Sequence, residues 1–367
     1  MDNGLDIEGL RVLVACHAVL GAAPLGYGGL RAARNIPRQS AALLAAVRQA
    51  TQAAHLEPDW LAAERTLTWI AGAASRHLVV YGAATYPAQL YEIAAPPTLL
   101  FVDGMQDVLR QPQLAIVGSR KATVAARRFA ADIATAASHA GVGITSGMAW
   151  GIDAAAHAAA RAAGGATVAV FGCGIDRIYP AGHRGLADEI RRGGALVSEF
   201  PLGEAPRKPN FPRRNRLIAG LSLGTLVVEA ALRSGSLSTA LHALEQGKDV
   251  FAVPGNIHNP LSRGCHALIR QGAKLTESIA DIAEEIPLLR AAGPTAETGS
   301  WVLDEAGSEV DPESRRLLEA WGWDTLSIDE LAARVGLTVQ SVSSILLRLE
   351  LAGTIEPRAS GTYARVR

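Results

Sequence analysis

Between Arg207 and Gly220 the chain reads Arg-Lys-Pro-Asn-Phe-Pro-Arg-Arg-Asn-Arg-Leu-Ile-Ala-Gly, so that Arg207, Lys208, Arg213, Arg214 and Arg216 surround one aromatic, Phe211. Guanidinium groups grip phosphate oxygens through paired N–H donors, and an aromatic ring offers a face on which any base can stack. Together they make an anion site with a stacking platform, which suits single-stranded nucleic acid. Pro206, Pro209 and Pro212 stiffen the approach. Their spacing predicts a helix that opens only after Pro212, with Arg213 to Arg216, Asn215 included, in its first turn and its N-terminal amides facing an anion. The plainer alternative is a solvated basic loop, since short basic runs are common.

Other groups have the chemistry for catalysis but not the setting. Glu199 and Glu229 end apolar runs and are the best acid–base candidates, although Glu229 is better suited to holding a neighbouring loop or a basic side chain. Asp153 and His157 lie one helical turn apart with Ser146 nearby, a spacing at which base and orienter can couple. The simpler reading has Asp153 capping a helix and His157 packed beneath the loop. Cys265-His266 lacks further ligands at metal spacing. Gly247-Lys248 has neither the upstream Gly nor the following Ser or Thr of a phosphate-binding Walker loop, and Gly118-Ser119-Arg120 stands where a dinucleotide fold would place Gly-x-Gly-x-x-Gly. Gly220 to Gly224 matches the nucleophile-elbow string, but a helix precedes it and a strand follows, the reverse of what that elbow needs. No catalytic residue, cofactor or metal is assigned.

The elements that position the basic stretch are apolar runs at Leu114 to Val117, Val142 to Thr145, Thr167 to Phe171, Ala195 to Ser198, Thr225 to Glu229 and Asp249 to Val253, most of them separated by helix-length segments. This alternation predicts an α/β fold, a doubly wound Rossmann-like parallel sheet buried on both faces. Ligands of such sheets bind beyond the carboxyl ends of the strands. The loops expected there carry Gly118, Ser119 and Arg120, then Ser146 to Gly151, Gly172 to Gly174, Ser198 to Pro201, Ser234, Gly235 and Ser236, and Pro254 to Asn256. Small residues at these points let amides and hydroxyls crowd against phosphates, and the basic stretch leaves from the fourth of them. Glycine and serine also make tight strand-to-helix turns in any such fold, which is the competing explanation.

Ahead of the core, residues 1–75 read as short helices at Glu8 to Leu20, Gly28 to Arg34, Ser40 to Ala50 and Pro58 to Gly72, and Pro24 to Arg31 has the apolar-Gly pattern of a helix-hairpin-helix turn. A short strand is expected at Leu99 to Val102. The core spans 76–290, a polar stretch over 291–307 reads as a linker, and 308–367 reads as a helix-turn-helix with a wing: helices at Pro312 to Trp321, Ser327 to Val335 and Thr338 to Leu351, then Gly353 to Arg365. The third of these helices carries Arg348 as its lone cation, too little charge for a typical duplex reader. At 367 residues the chain is long enough for two or three domains, and its 35 Lys plus Arg balance 35 Asp plus Glu, so any polyanion site is local. Three scattered cysteines, acidic residues ahead of the apolar stretch Leu10 to Gly26, and no membrane-length apolar run point to a soluble cytoplasmic protein.

These residues, taken together, closely resemble the DNA processing protein A family (DprA/Smf). The matching segments are Ala115-Ile-Val-Gly-Ser-Arg120, Ser146-Gly-Met-Ala-Trp-Gly-Ile-Asp153 with Ala156-His157, Tyr179-Pro180, Ser198-Glu-Phe-Pro201, Phe211 to Ser222, Val227-Val-Glu-Ala230 with Ser234-Gly-Ser-Leu237, and Phe251-Ala-Val-Pro-Gly255. Ala125-Ala126, His183 and His266 depart from the family's usual Tyr-Gly, Asn and Asn. The resemblance implies an N-terminal all-helical domain of sterile-alpha-motif (SAM-like) type, an extended Rossmann-like core that dimerises, and a C-terminal winged-helix domain. It implies a non-enzymatic protein that binds single-stranded DNA, protects it, displaces single-strand-binding protein and loads the RecA recombinase in natural transformation. The binding residues would be Gly118, Ser119, Arg120, Lys208, Phe211, Arg213, Asn215, Arg216, Ser234, Gly235 and Ser236. The rival from another class is a Rossmann-type nucleotide-processing hydrolase of the lysine-decarboxylase-like kind, acting through Glu229 or Glu199. A third reading, a duplex-binding regulator acting through the C-terminal module, sits poorly with its nearly neutral third helix.

Overall fold

In a computed structural model the described residues are 5–22, 39–292, 312–321, 326–351, 354–358 and 361–365. The expected helix at Gly28 to Arg34, the hairpin turn at Pro24 to Arg31 and most of the linker over 291–307 lie outside them. The chain divides into two compact units, Met1–Gly299 and Ser300–Arg367.

Among the described residues three helices open the first unit: α1 (Ile7–Ala22), α2 (Ser40–Ala53) and α3 (Trp60–Ala71). β1 (Arg76–Val80) and β2 (Leu99–Gly104) follow, and then the alternating run of β3 (Gln113–Gly118), α4 (Val124–His139), β4 (Gly143–Ser146), α5 (Ile152–Ala162), β5 (Thr167–Val170), α6 (Arg184–Gly193) and β6 (Ala195–Ser198). It continues with α7 (Asn210–Leu221), β7 (Gly224–Val228), α8 (Ser236–Glu245), β8 (Asp249–Ala252), α9 (Arg263–Arg270), β9 (Lys274–Leu275) and α10 (Ile279–Glu285). Among the described residues the strands form a nine-stranded sheet in the order β1-β2-β6-β5-β4-β3-β7-β8-β9. From β6 to β9 every neighbouring pair is parallel, whereas β2 pairs antiparallel with both β1 and β6.

Successive residues of β3 point to opposite faces, and both faces are covered. Ala115 and Val117 join a cluster with Leu13 of α1, Leu43 of α2 and Leu217 of α7, while Leu114 and Ile116 pack with Ile133 of α4, Ile152 of α5 and Ile282 of α10. The N-terminal helices therefore share the core of the sheet. Strand order reverses between β3 and β7, which is the topological switch point where open α/β sheets place their ligands.

The second unit is a winged helix. Its helices are α11 (Pro312–Trp321), α12 (Ile328–Val335) and α13 (Val339–Leu351), and its three-stranded antiparallel sheet has the order β10-β12-β11, with β10 at Leu326–Ser327, β11 at Ile355–Pro357 and β12 at Thr362–Arg365. α12 starts on a capping box, in which Ser327 N donates to Glu330 Oε2 at 2.7 Å, and ends at Gly336 in the left-handed region with φ of 67°.

Gly118, where β3 meets its loop, has no room for a side chain: a Cβ there would stand 1.9 Å from the Val228 carbonyl oxygen and 2.6 Å from Ile152 Cγ1. Gly118→Ala is expected to lower the urea midpoint of the first unit, at a cost on the order of 1–3 kcal/mol or more for an overpacked site. An unchanged midpoint by circular dichroism would contradict this packing.

Candidate nucleic-acid interface

The basic stretch forms α7, and it does so earlier than its prolines suggest. Pro209 is the N-cap, and the helix begins at Asn210 with Pro212 inside the first turn. The first amides of a helix have no intrahelical acceptor, so a missing N–H there costs nothing. The consequence is a rotation of the cations. Arg214, Asn215 and Arg216 turn into the protein, while Arg207 and Lys208 stay exposed on the segment leading in.

Arg216 is thereby withdrawn from the lip on which it was expected. Its Nη1 and Nη2 donate to the two carboxylate oxygens of Glu199 at 2.7 and 2.6 Å, and its Nε donates to Ala95 O at 3.1 Å. Arg213 approaches the same carboxylate, with Nε 3.5 Å from Oε1, and lies over the Phe200 ring. Burial alone would raise the Glu199 carboxyl, but the charges of Arg216 and Arg213 hold it below its ordinary 4.5. The backbone of Glu199 serves as well, since its carbonyl accepts from His17 Nε2 of α1 at 2.8 Å.

Arg214 is buried beneath the rim, where its guanidinium donates to the carbonyls of Gly147, just beyond β4, and Val170, the last residue of β5, and its Nε donates to Asn215 Oδ1 at 3.0 Å. Burial lowers it to about 10, with Asp153 opposing. The Asn215 amide donates to Gly235 O at 3.1 Å and Ser238 Oγ at 2.7 Å, which ties α7 to the loop opening α8. Asn215 thus holds that loop from below.

At the switch point the two loops are clasped together. Glu229, just past β7, accepts from Thr123 N and Oγ1, both at 2.9 Å, at the N-terminus of α4, and Asn259 Nδ2 lies 3.4 Å from its Oε1. This is the loop-holding role anticipated for it. Ser119 is buried and its Oγ accepts from Lys121 N at 3.1 Å, so it shapes the turn that leaves Arg120 exposed. Opposite, the Ser234 and Ser236 hydroxyls are 2.7 Å apart.

Phe211, half-buried, stands over this rim. A Cβ on Gly172 would reach within 2.9 Å of its Cδ1, so the ring rests on bare backbone beyond β5. The guanidinium carbons of Arg120 and Arg214 lie 5.8 and 6.0 Å from its centroid, and Tyr179 is tilted against it at 5.7 Å between centroids. The structure therefore brings Arg120 to the basic stretch, with Lys208 three residues before the ring. It adds residues that sequence reasoning passed over. Tyr179 and Trp150 are 44% and 52% exposed, and their signal was an aromatic within a rim loop.

The catalytic candidates Asp153 and His157 make structural bonds, although His157 Nε2 is buried without a hydrogen-bond partner among the described residues. Asp153 caps the preceding loop rather than its own helix, accepting from Gly147 N and Ala149 N at 3.1 and 3.2 Å. The Thr167 hydroxyl donates to Ile144 O and so accepts from His157 Nδ1, 2.7 Å away. Burial pushes His157 down to about 3.

Known proteins share this sequence pattern and fold. The family model described as DNA recombination-mediator protein A matches residues 77–287, and that of the DprA winged helix domain matches residues 303–361. Protein Smf of Escherichia coli K12 is 44% identical over 305 residues, covering 83% of this chain and 81% of its own. The DNA processing protein DprA of Streptococcus pneumoniae is 46% identical over 200 residues, covering 54% and 71%. The crystal structure of DNA processing protein A from Streptococcus pneumoniae superposes with a TM-score of 0.58 at 35% identity, over 77% of this chain and 94% of that one. A structure described as giving insights into the single-stranded DNA binding mode of DNA processing protein A from Helicobacter pylori superposes with a TM-score of 0.51 at 29% identity, over 55% and 93%.

The Glu199 pair has a pH signature. Its carboxyl is depressed on folding, so its contribution is complete above the ordinary carboxylate value of 4.5 and is lost as pH falls through the lower folded value. Glu199→Leu, which strands Arg216 in the interior, is expected to cost about 3–5 kcal/mol, whereas Glu199→Leu with Arg216→Leu costs less than the sum of the single changes. Denaturation of the four proteins between pH 3 and 7 checks both points. Additive costs, or an unaltered acid limb, would contradict the pairing.

Proposed function

This chain belongs to the DNA recombination-mediator protein A family, and we propose that its sheet rim is a track for single-stranded DNA. The observation that carries the reading is the Phe211 ring, half-buried on Gly172 and bordered by the Arg120 guanidinium. One base stacks on Phe211 while phosphates meet Arg120, Lys208 and Arg213 and the amides of the 234–236 loop. Ser119, Asn215 and Arg216 act from beneath by fixing loop and helix. The resemblance in sequence and fold to a protein whose structure is described by its single-stranded DNA binding mode supports the same choice of ligand.

The chain is a DNA-processing recombination mediator. In finer terms, we propose that it shields incoming single strands, displaces single-strand-binding protein and loads the RecA recombinase during natural transformation, without catalysis of its own. The hydrolase alternative loses its acids, because Glu199 is ion-paired and Glu229 is bonded to Thr123. A second copy of the chain as partner is part of the proposal. Leu241 and Leu244, exposed three residues apart on α8, supply an apolar face on the core for it. We place the protein in the cytoplasm, in keeping with its free, buried cysteines; among the described residues no helix is long and apolar enough to cross a membrane.

Fluorescence anisotropy with short labelled oligonucleotides is expected to show single strands preferred over duplex. Arg120→Ala and Lys208→Ala should each weaken binding and reduce the salt slope by about one, and Phe211→Ala should cost about 1–3 kcal/mol with little change of slope. Unchanged affinity across salt for both charge variants would overturn the placement. Base released from nucleoside monophosphates would favour the hydrolase.

The mediator role has its own readout. On single strands precoated with single-strand-binding protein, the lag before recombinase assembly is expected to shorten with this protein and to lengthen again with Phe211→Ala. A lag indifferent to the protein would sink the loading step while leaving the binding intact.

A further inference from the structure

Beside the Phe211 site lies an open cleft of about 560 Å³, bordered by Arg120, Arg127, Trp150 and His183 with Gly151 and Ala154 as its small residues. That volume falls in the range of ordinary small-ligand pockets and can hold a base with its sugar. Nothing in the family assignment or in the named relatives gives this cleft an occupant.

Trp150 is 52% exposed, which leaves an indole face open at the cleft. Yet the ring is held. It meets His183 edge-on at 4.0 Å between centroids, and it lies so close to Gly182 that a Cβ there would come within 2.8 Å of its Cη2. His183 is itself buried and fixed by donating from Nδ1 to Met148 O at 3.0 Å. An aromatic face pinned in this way pays little ordering entropy when a flat ligand arrives. Two cations border it, Arg120 and Arg127, the latter steadied by donation from Nη1 to Ala122 O at 2.7 Å. Arg120 is common to both places, since its guanidinium also lies over Phe211.

On these grounds we infer that the cleft is a second nucleotide subsite, in which a neighbouring base of the same strand stacks on Trp150 and a backbone phosphate sits between Arg120 and Arg127. The inference rests on the single-stranded DNA reading of the rim. It extends the track from Phe211 past Arg120 to the first turn of α5, where Gly151 and Ala154 leave room for the sugar. An indole and a phenyl ring divided by one guanidinium read no sequence, because every base has a π face.

The test uses the full chain and oligothymidylates of increasing length. Stacking on Trp150 is expected to quench indole fluorescence as the strand binds, and Trp150→Phe should lose most of that quench. Trp150→Ala should weaken binding by roughly 5- to 100-fold once the oligonucleotide is long enough to reach both rings. Trp150→Phe, which keeps a ring, should bind more tightly than Trp150→Ala, and Arg127→Ala should reduce the salt slope by about one. Circular dichroism establishes that each variant is folded. If the unaltered protein binds no oligonucleotide, the reading of the whole rim fails. If it binds, and Phe211→Ala weakens it while Trp150→Ala binds like the parent at every length and Trp150→Phe keeps the quench, the second subsite alone is refuted.

Discussion

The paired hydrogen bonds between Glu199 and Arg216 fix the basic helix against the rim. Two opposite charges taken out of water gain little net stability, because desolvation consumes most of their attraction. What they do gain is position. The carboxylate comes from the end of a core strand and the guanidinium from the basic helix, so the pair sets the rotation of α7 and, with it, the place of Phe211. From the same helix Asn215 reaches the α8 loop, and from the same glutamate the backbone carbonyl receives His17. N-terminal helices, sheet and basic helix therefore meet at one residue.

This arrangement separates two kinds of cation that a sequence presents alike. Arg214 and Arg216 are desolvated and committed to carbonyls or a carboxylate, and have no counterions left to release. Arg120, Arg207 and Lys208 remain in solvent and keep their counterions. Arg213 stands between, sharing Glu199 and the Phe200 ring. A basic run thus has an inner half that shapes and an outer half that attracts.

The parallel core was legible because strands buried on both faces must be written as short apolar runs, and all six of those anticipated appear as β3 to β8 within a residue or two. β1 escaped notice because its apolar run, Leu78 to Val80, is short and follows Arg76 and His77 at an antiparallel edge, outside the strand–helix alternation of the parallel core. The start of α7 was misjudged because prolines that forbid a helix interior are welcome in its first turn, and that shift reversed the reading of Arg216. Glu229 could be anticipated as a holder of loops, whereas the meeting of Tyr179 and Arg120 at Phe211, and of Trp150 with Arg120 in the neighbouring cleft, depends on loops far apart in the chain. No local spacing encodes it.

Arg214 also answers a difficulty inherent in the site. Backbone carbonyls at the ends of strands that find no amide partner leave a fringe of partial negative charge beneath the rim, which disfavours an anion above it. By taking the carbonyls of Gly147 and Val170 into its guanidinium, Arg214 masks that fringe from below at the ends of two central strands. A buried cation thereby offsets negative charge in the floor of the crevice.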